Sequence, residues 1–434
     1  MSRTSLISPR RARRSTLLGA GVAVLCAALL TAPTASAAFP GAEADATTAV
    51  ATAASPDPAS PDPASSGVTS APDPTATGTP ITEGTALYPR VIRLAHNGEA
   101  NGRVLASTVT FEGGDGLGAI HESTDGGDSF TRVGTVADPD SAGGQGLCCT
   151  TLYELPRAVG ELPAGTLLWA SSAGADEADR RMGLRVWASD DVGRTWEYLS
   201  TIAVAANDGG LWEPEFSIAS DGALVAHYAD ETDPAHSQKL VAARSYDGVT
   251  WGDHRNTVAS TWEPDRPGMP VVRQLGDGSY FMIFEICNPG GQYQCVVHYR
   301  TSPDGWDWGD PAHLGFRPET ADGKYLRAAP TVAWSPAPDG NPNGRLVIVG
   351  QMVLNADGST APENGRIVLV NDENGAGPWR AAPAPVQVPT AEPNFCPNYS
   401  SPLLPSEDGR ELLQIATDWE GDTCRAYAAT GPLG

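Results

Sequence analysis

Lysine is almost missing: the 434 residues include only Lys239 and Lys324. Lys and Arg together number 28 against 52 Asp and Glu, leaving a formal charge of −24. So few basic side chains cannot build a cationic face for a phosphate backbone, and nucleic acid is not an expected partner. Charged residues of both signs make up only 18%. The Ala/Glu/Lys/Leu-rich periodicity of a coiled coil or helical bundle is therefore lacking as well. Beyond residue 30 no apolar run is long enough to span a bilayer, so no membrane partner is expected. The histidines (His96, His121, His227, His236, His254, His298 and His313) are scattered. No His/Cys/Asp cluster has metal-ligand spacing and no glycine-rich loop links a strand to a helix, so neither a metal nor a cofactor is expected.

What the chain does have is glycine (48) and proline (37) in quantity, the punctuation of many short strands and turns. Residues 1–37 read as an export signal: Arg10, Arg11, Arg13 and Arg14, an apolar run from Leu17 to Leu30, then Ala35-Ser36-Ala37. Arg13-Arg14-Ser15-Thr16-Leu17-Leu18 has the outline of a twin-arginine signal without its usual aromatic. Residues 38–80 are rich in Ala, Pro, Ser and Thr, with Ser-Pro-Asp-Pro-Ala at 55–59 and again at 60–64. Such a stretch has little to bury and reads as an extended spacer. The folded part is expected at 81–434, in a secreted and monomeric protein. It holds Cys148, Cys149, Cys287, Cys295, Cys396 and Cys424, an even number that suits disulfides in an oxidising compartment. Cys287 and Cys295 flank Asn-Pro-Gly-Gly and suit a bridged hairpin. Cys396 and Cys424 suit a closed terminal loop, which leaves Cys148 and Cys149 as a vicinal pair, although other pairings remain open.

An internal repeat organises the rest. Ser123-Thr124-Asp125-Gly126-Gly127-Asp128-Ser129-Phe130 and Ser189-Asp190-Asp191-Val192-Gly193-Arg194-Thr195-Trp196 share one pattern. Ser245-Tyr246-Asp247-Gly248-Val249-Thr250-Trp251 and Ser302-Pro303-Asp304-Gly305-Trp306-Asp307-Trp308 are variants with the glycine one place early. Each suits a tight turn between strands: Asp accepts turn amides, Gly takes the positive φ and the aromatic buries itself beside the turn. The segments resemble the Asp boxes of sialidase-like β-propellers. That resemblance implies an all-β fold, a six-bladed β-propeller with Asp-box turns, whose units begin near Tyr88, Leu152, Trp212, Met269, Ala329 and Ser401. Six units at about 58 residues each suit propeller repeats.

In such a blade the first strand starts, and the second ends, on one face of the disc. The turn between strands three and four lies on the other. Asp boxes are then structural, and a pocket draws on first-strand starts and second-strand ends: Tyr88, Arg90, Cys148, Cys149, Trp212, Glu213, Glu215, Asp230, Arg266, Glu285, Arg327 and Tyr399. Carboxylates, aromatics and a few arginines are the inventory of sugar binding and glycoside cleavage, and an oligo- or polysaccharide is the expected partner. Glu213 and Glu215 open the third blade and, by strand alternation, point to one side. Glu285 follows four apolar residues at a strand end. Cys148 and Cys149, joined to each other, would form a rigid apolar knob against a sugar face.

The runs Leu211-Trp212-Glu213-Pro214-Glu215-Phe216, Tyr228-Ala229-Asp230-Glu231 and Arg266-Pro267-Gly268-Met269-Pro270 resemble family 93 of the glycoside hydrolases. The resemblance implies an exo-acting, retaining α-1,5-L-arabinanase with Glu213 as general acid/base and Glu285 as nucleophile. Tyr399-Ser400-Ser401 resembles the surroundings of the nucleophilic tyrosine of sialidases, which would make the chain an exo-α-sialidase with an arginine clamp drawn from Arg90, Arg266 and Arg327. A third reading is a non-catalytic carbohydrate-binding propeller.

Overall fold

The computed structural model describes residues 76–288 and 291–434; the expected export signal and residues 38–75 of the expected spacer lie outside the described residues. Six small antiparallel sheets follow one another along the chain. Blade one is built from Leu87–Arg93, Val104–Glu112, Asp115–Ser123 and Thr131–Ala137. Blade two is Leu147–Glu154, Leu167–Ala173, Gly183–Ser189 and Glu197–Val204. Blade three is Leu211–Ile218, Leu224–Asp230, Lys239–Ser245 and Gly252–Val258. Each is a meander in which consecutive strands pair. First strands of successive blades touch one another around the ring, which makes them the innermost. The six-bladed propeller and its unit starts therefore agree with the repeat in the sequence.

Blades four to six depart from the simple meander. Blade four has Arg266–Gln274, Tyr280–Cys287 and Val296–Ser302. In place of a regular fourth strand, Tyr299 makes a single bridge to Phe316, and Val296 pairs with Arg327 of the short strand Tyr325–Arg327. That strand pairs in turn with Met352–Leu354, which leaves blade five to reach it. Blade five itself is Thr331–Ser335, Arg345–Val349, Ile367–Asn371 and Arg380–Pro383. Blade six takes three strands from the C-terminus (Leu403–Pro405, Glu411–Glu420 and Thr423–Pro432) and its outermost one, Thr79–Pro80, from the start of the described chain. The last residues of the stretch read as spacer thus join the two ends of the ring.

The core lies between blades rather than within one. One apolar cluster joins Leu168, Leu184 and Ile202 of blade two to Phe216, Leu224 and Val241 of blade three. Another joins Phe281 and Ile283 of blade four to Val332 and Ile348 of blade five. Strands covered on both faces read as nearly continuous apolar runs, as in Tyr280-Phe281-Met282-Ile283-Phe284. The four Asp-box turns sit between third and fourth strand positions, opposite the starts of the first strands. In the first, Gly127 N–H donates to Ser123 Oγ (2.8 Å) and Ser129 N–H to Asp125 Oδ1 (3.0 Å). The other three repeat this pattern. Blade five lacks the motif, and there Asn371 Oδ1 accepts the Glu373 and Gly375 amides at 2.8 Å each. The cysteines pair as Cys148–Cys149, Cys287–Cys295 and Cys396–Cys424.

Ring closure rests on few bonds. Thr79 and Pro80 pair with Ala428 and Tyr427, Ile81 N–H donates to Ala426 O (2.9 Å), and the Ile81 side chain is buried in the cluster between blades six and one. A chain beginning at Gly84 is expected to melt about 5 °C or more below one beginning at Ala76, measured by calorimetry, because it loses this strand from every closed ring.

Candidate active site

Each of the six innermost strands carries, at or just before its start, a non-glycine residue with left-handed backbone: Tyr88, Cys149, Glu213, Met269, Ala329 and Ser400, with φ between 45° and 62°. In blades one to four a register shift falls at the same place. A bulge of this kind costs about 1 kcal/mol or more per residue and frees an amide from the ladder. Two of these freed amides have visible employment. Met269 N–H donates to Glu213 Oε2, and Ala329 N–H donates to Glu285 Oε2 at 2.6 Å. Each carboxylate is thus held by the inner strand of the following blade.

The two carboxylates flank one peptide. Gly268 is the cross-strand partner of Glu285. A Cβ on Gly268 would lie 3.3 Å from Glu213 Oε2 and 2.6 Å from Gln238 Nε2, so only glycine leaves room there. Both acids are half-buried, and protein crowds their carboxyl groups. Burial, followed by the charge of Glu285, pushes Glu213 up to about 8, against the Met269 amide. Burial pushes Glu285 up to about 7, opposed by the Ala329 amide and then by Arg327 and Arg266. Two neighbouring carboxyls that hold their protons unequally can divide acid and nucleophile roles between them.

Two tyrosines and a thioether stand beside them. Tyr88 and Tyr399 direct their hydroxyls at Met269 Sδ, at 3.5 and 4.0 Å, with ring centroids 6.3 Å apart. Burial holds both phenols well above their usual range, and for Tyr399 the Glu285 and Glu213 charges add to it. Cys148 and Cys149 are joined to each other, and Cys149 belongs to the axial apolar cluster with Tyr88, Trp169 and Met269. Trp212, half-buried, packs against that cluster and carries the Arg180 guanidinium 5.7 Å from its ring. Arg327 reaches the neighbourhood of Glu285 through its pairing with Val296. Its Nε is buried without a partner, and it forms no ion pair among the described residues.

Four expected pocket residues are otherwise engaged. Glu215 does not act with Glu213: the bulge between Trp212 and Glu215 interrupts the alternation that would have aligned them. Glu215 is 3% exposed, bonded to Arg273 (2.7 Å) and Thr151 Oγ1 (2.9 Å), with Arg90 Nε at 3.8 Å. Arg90 itself is buried against Ser400 Oγ (2.9 Å), Pro89 O and the Tyr88 ring. These groups form a buried ionic unit that links blades one, two, three, four and six. Arg266 is clamped by Glu231, Gln238 Oε1 (2.8 Å) and Ser237. Asp230 turns outward, capping Thr232 (2.7 Å) with Lys239 Nζ at 3.8 Å, in a separate rim cavity of about 380 Å³ with Tyr228 and His254.

Sequence reasoning passed over Gln238, whose Nε2 donates to Pro267 O (2.9 Å) and which props the peptide before Gly268. Nothing in a third-strand start marks such a residue. Met269 and Ala329 were read only as unit starts, since an amide's role leaves no mark on the side chain. Glu285, Cys287 and Cys295 lie close enough together to suggest a metal group, but the two sulfurs are bonded to each other and offer no thiolate. Gly268→Ala is expected to lower stability by about 1–3 kcal/mol in denaturant unfolding, through displacement of Gln238 and Glu213. Unchanged stability would show that the space is not confined.

No family model matches the chain, and no curated protein does. Solved structures do. The α-L-arabinanase of Penicillium chrysogenum, complexed with arabinobiose, is 26% identical over 83% of this chain and 99% of its own, with a TM-score of 0.66. The family 93 α-L-arabinofuranosidase of Fusarium graminearum, also with arabinobiose, is 25% identical over 82% of this chain and 97% of its own, again at 0.66. The chain is a six-bladed β-propeller whose close structural matches are glycoside hydrolases of the arabinanase kind, family 93 among them.

Proposed function

We propose that this protein is a secreted, exo-acting glycoside hydrolase that removes short units from chain ends of arabinan or a related plant-wall glycan, with retention. The observation that carries the reading is the placement of Glu213 and Glu285 on either side of the Gly268–Met269 peptide, each held by its own backbone amide. Glu213, the more reluctant to ionise, protonates the glycosidic oxygen while the Glu285 carboxylate attacks the anomeric carbon. The leaving chain departs with that proton. Glu213, now a carboxylate, takes a proton from water, whose oxygen displaces Glu285 and restores both groups. Tyr88, Tyr399, Trp212 and the Cys148–Cys149 unit provide apolar and hydroxyl-bearing surface for the sugar, and Arg327 an uncommitted hydrogen-bond fork. Residues 1–37 serve export and 38–75 act as a spacer ahead of a monomeric propeller; three disulfides fit an oxidising destination.

Two observations favour this over a sialidase with Tyr399 as nucleophile. Arg90 and Arg266 are occupied by Glu215, Ser400, Glu231 and Gln238, so a three-arginine clamp for a sialate carboxylate is not assembled among the described residues. The Tyr399 hydroxyl, pushed upward by burial and two carboxylates, is a poor source of phenolate.

Linear arabinan is expected to yield arabinobiose, with sialyl-lactose untouched. Glu213→Gln and Glu285→Gln should each lower kcat by about 10²–10⁴-fold, measured by product chromatography. Binding of arabinan without hydrolysis by the unaltered chain would favour a carbohydrate-binding propeller, and released sialic acid would move the nucleophile to Tyr399. The pH profile is a separate check. Glu285 must be ionised and Glu213 protonated, so kcat/KM should rise through about 7 and fall through about 8, giving a narrow bell. A plateau from about 5 to 9 would contradict the assignment of roles.

A further inference from the structure

Glu285 is tied into a closed cycle of bonds that runs through a disulfide. Two residues beyond it, Cys287 ends the strand, with its Sγ 3.4 Å from Glu285 Oε1. Cys287 is bonded to Cys295, whose Cα lies 3.7 Å away. The Cys295 carbonyl accepts the Ala328 amide at 2.8 Å, and the next amide, Ala329 N–H, donates to Glu285 Oε2 at 2.6 Å. The cycle is therefore Glu285, Cys287, Cys295, Ala328, Ala329 and back to Glu285. Its far side is anchored in turn, because Ala328 O accepts the Gln351 amide (2.8 Å) and Gln351 Nε2 donates to Pro397 O (3.0 Å).

The backbone of this cycle is held in an unfavourable form. Gln294, Cys295, Ala328 and Ala329 all have left-handed φ, between 43° and 63°. None is glycine, and each such residue costs about 1–2 kcal/mol. Two consecutive left-handed alanines persist only where their surroundings over-determine them. The Ala328–Ala329 turn is what aims the 329 amide at the carboxylate. Its fixed point on blade four is the Cys295 carbonyl, and the fixed point of Cys295 is the bond to Cys287. A hydrogen bond from a preset amide both orients the attacking oxygen and favours its ionised form.

We propose that the Cys287–Cys295 disulfide is a positioning element for the nucleophile: it sets the Ala329 amide on Glu285 and so fixes both the direction of attack and the ionisation of that carboxylate. This deepens the two-carboxylate reading above and rests on it. In substrate turnover Cys287 and Cys295 form and break no bond; they act through Ala328, Ala329 and the Glu285 carboxylate that Cys287 Sγ borders.

The test compares the paired variant Cys287→Ser with Cys295→Ser against the unaltered chain, and against Cys396→Ser with Cys424→Ser as a control. On arabinan, the 287/295 variant should lose about tenfold or more in kcat with KM within about twofold, since a misaimed group impairs the transition state more than binding. Its ascending pH limb should move upward by about half a unit or more, as Glu285 loses a donor that favours the charged form. The 396/424 variant should melt lower but keep the limb in place. A 287/295 variant with unchanged kcat and limb would overturn the proposal, as would an equal limb shift in the control pair. If the 287/295 variant does not fold, mild reduction and alkylation of the intact protein gives the same comparison on the fraction that mass mapping shows modified at Cys287 and Cys295 and intact at Cys148 and Cys149; Cys396 and Cys424 are buried. The Glu285 carboxyl can also be titrated directly by carbon-13 NMR. If the unaltered chain leaves arabinan intact while this titration still moves with the disulfide, the substrate reading fails and the positioning role stands.

Discussion

A left-handed residue at the inner end of every blade is the constraint on which this propeller's chemistry depends. Left-handed backbone is unfavourable for an L-residue with a side chain, and here it recurs at Tyr88, Cys149, Glu213, Met269, Ala329 and Ser400. The return is geometric. A bulge stops the ladder short of the pocket and turns an amide away from its sheet. At Met269 and Ala329 that amide meets a carboxylate from the preceding blade. Neither Glu213 nor Glu285 is then held by its own strand alone, so the two acids are located relative to each other by the ring as a whole.

Beneath this layer lies an ionic one. Glu215, Arg90 and Arg273, with Thr151 and Ser400, join the inner ends of five blades. A buried carboxylate between two guanidiniums and a hydroxyl is satisfied, whereas the same carboxylate deprived of either arginine would be a buried charge without compensation. The layer therefore fixes register near the axis, and it gives two glutamates only two residues apart different surroundings, Glu215 among arginines and Glu213 against the Met269 amide. Around both layers the inter-blade apolar clusters supply the bulk of burial, and the Thr79–Pro80 strand keeps the first and last blades from parting.

The fold was legible because it repeats. Four Ser-x-Asp turns at nearly even spacing, with apolar runs between them, point to stacked equal units, and six such units close. Glu285 stands out in the sequence for a similar reason: a charge directly after Phe281-Met282-Ile283-Phe284 marks where the fully buried run of that strand gives way to partial exposure. Arg90, Glu215, Arg266 and Asp230 show the limit of that reasoning. Each stands at a strand end, yet each is engaged elsewhere: Arg90, Glu215 and Arg266 tie their blades to neighbouring ones, and Asp230 caps its own turn at Thr232.

By itself, the sequence determined the all-β class, the number of blades and the places of the Ser-x-Asp turns, and it offered Glu213 and Glu285 as candidate acids. These follow from local patterns, turn chemistry and hydrophobic period, which act within a few residues of one another. Only the tertiary structure decided that Glu213 accepts the Met269 amide and Glu285 the Ala329 amide, that Arg90 and Arg266 are occupied, and that Cys287 and Cys295 close a cycle through Ala329. Apart from the Cys287–Cys295 bond, which the turn between them already suggests, these contacts join residues as far as 310 positions apart, through backbone amides and ion pairs whose partners no local pattern specifies.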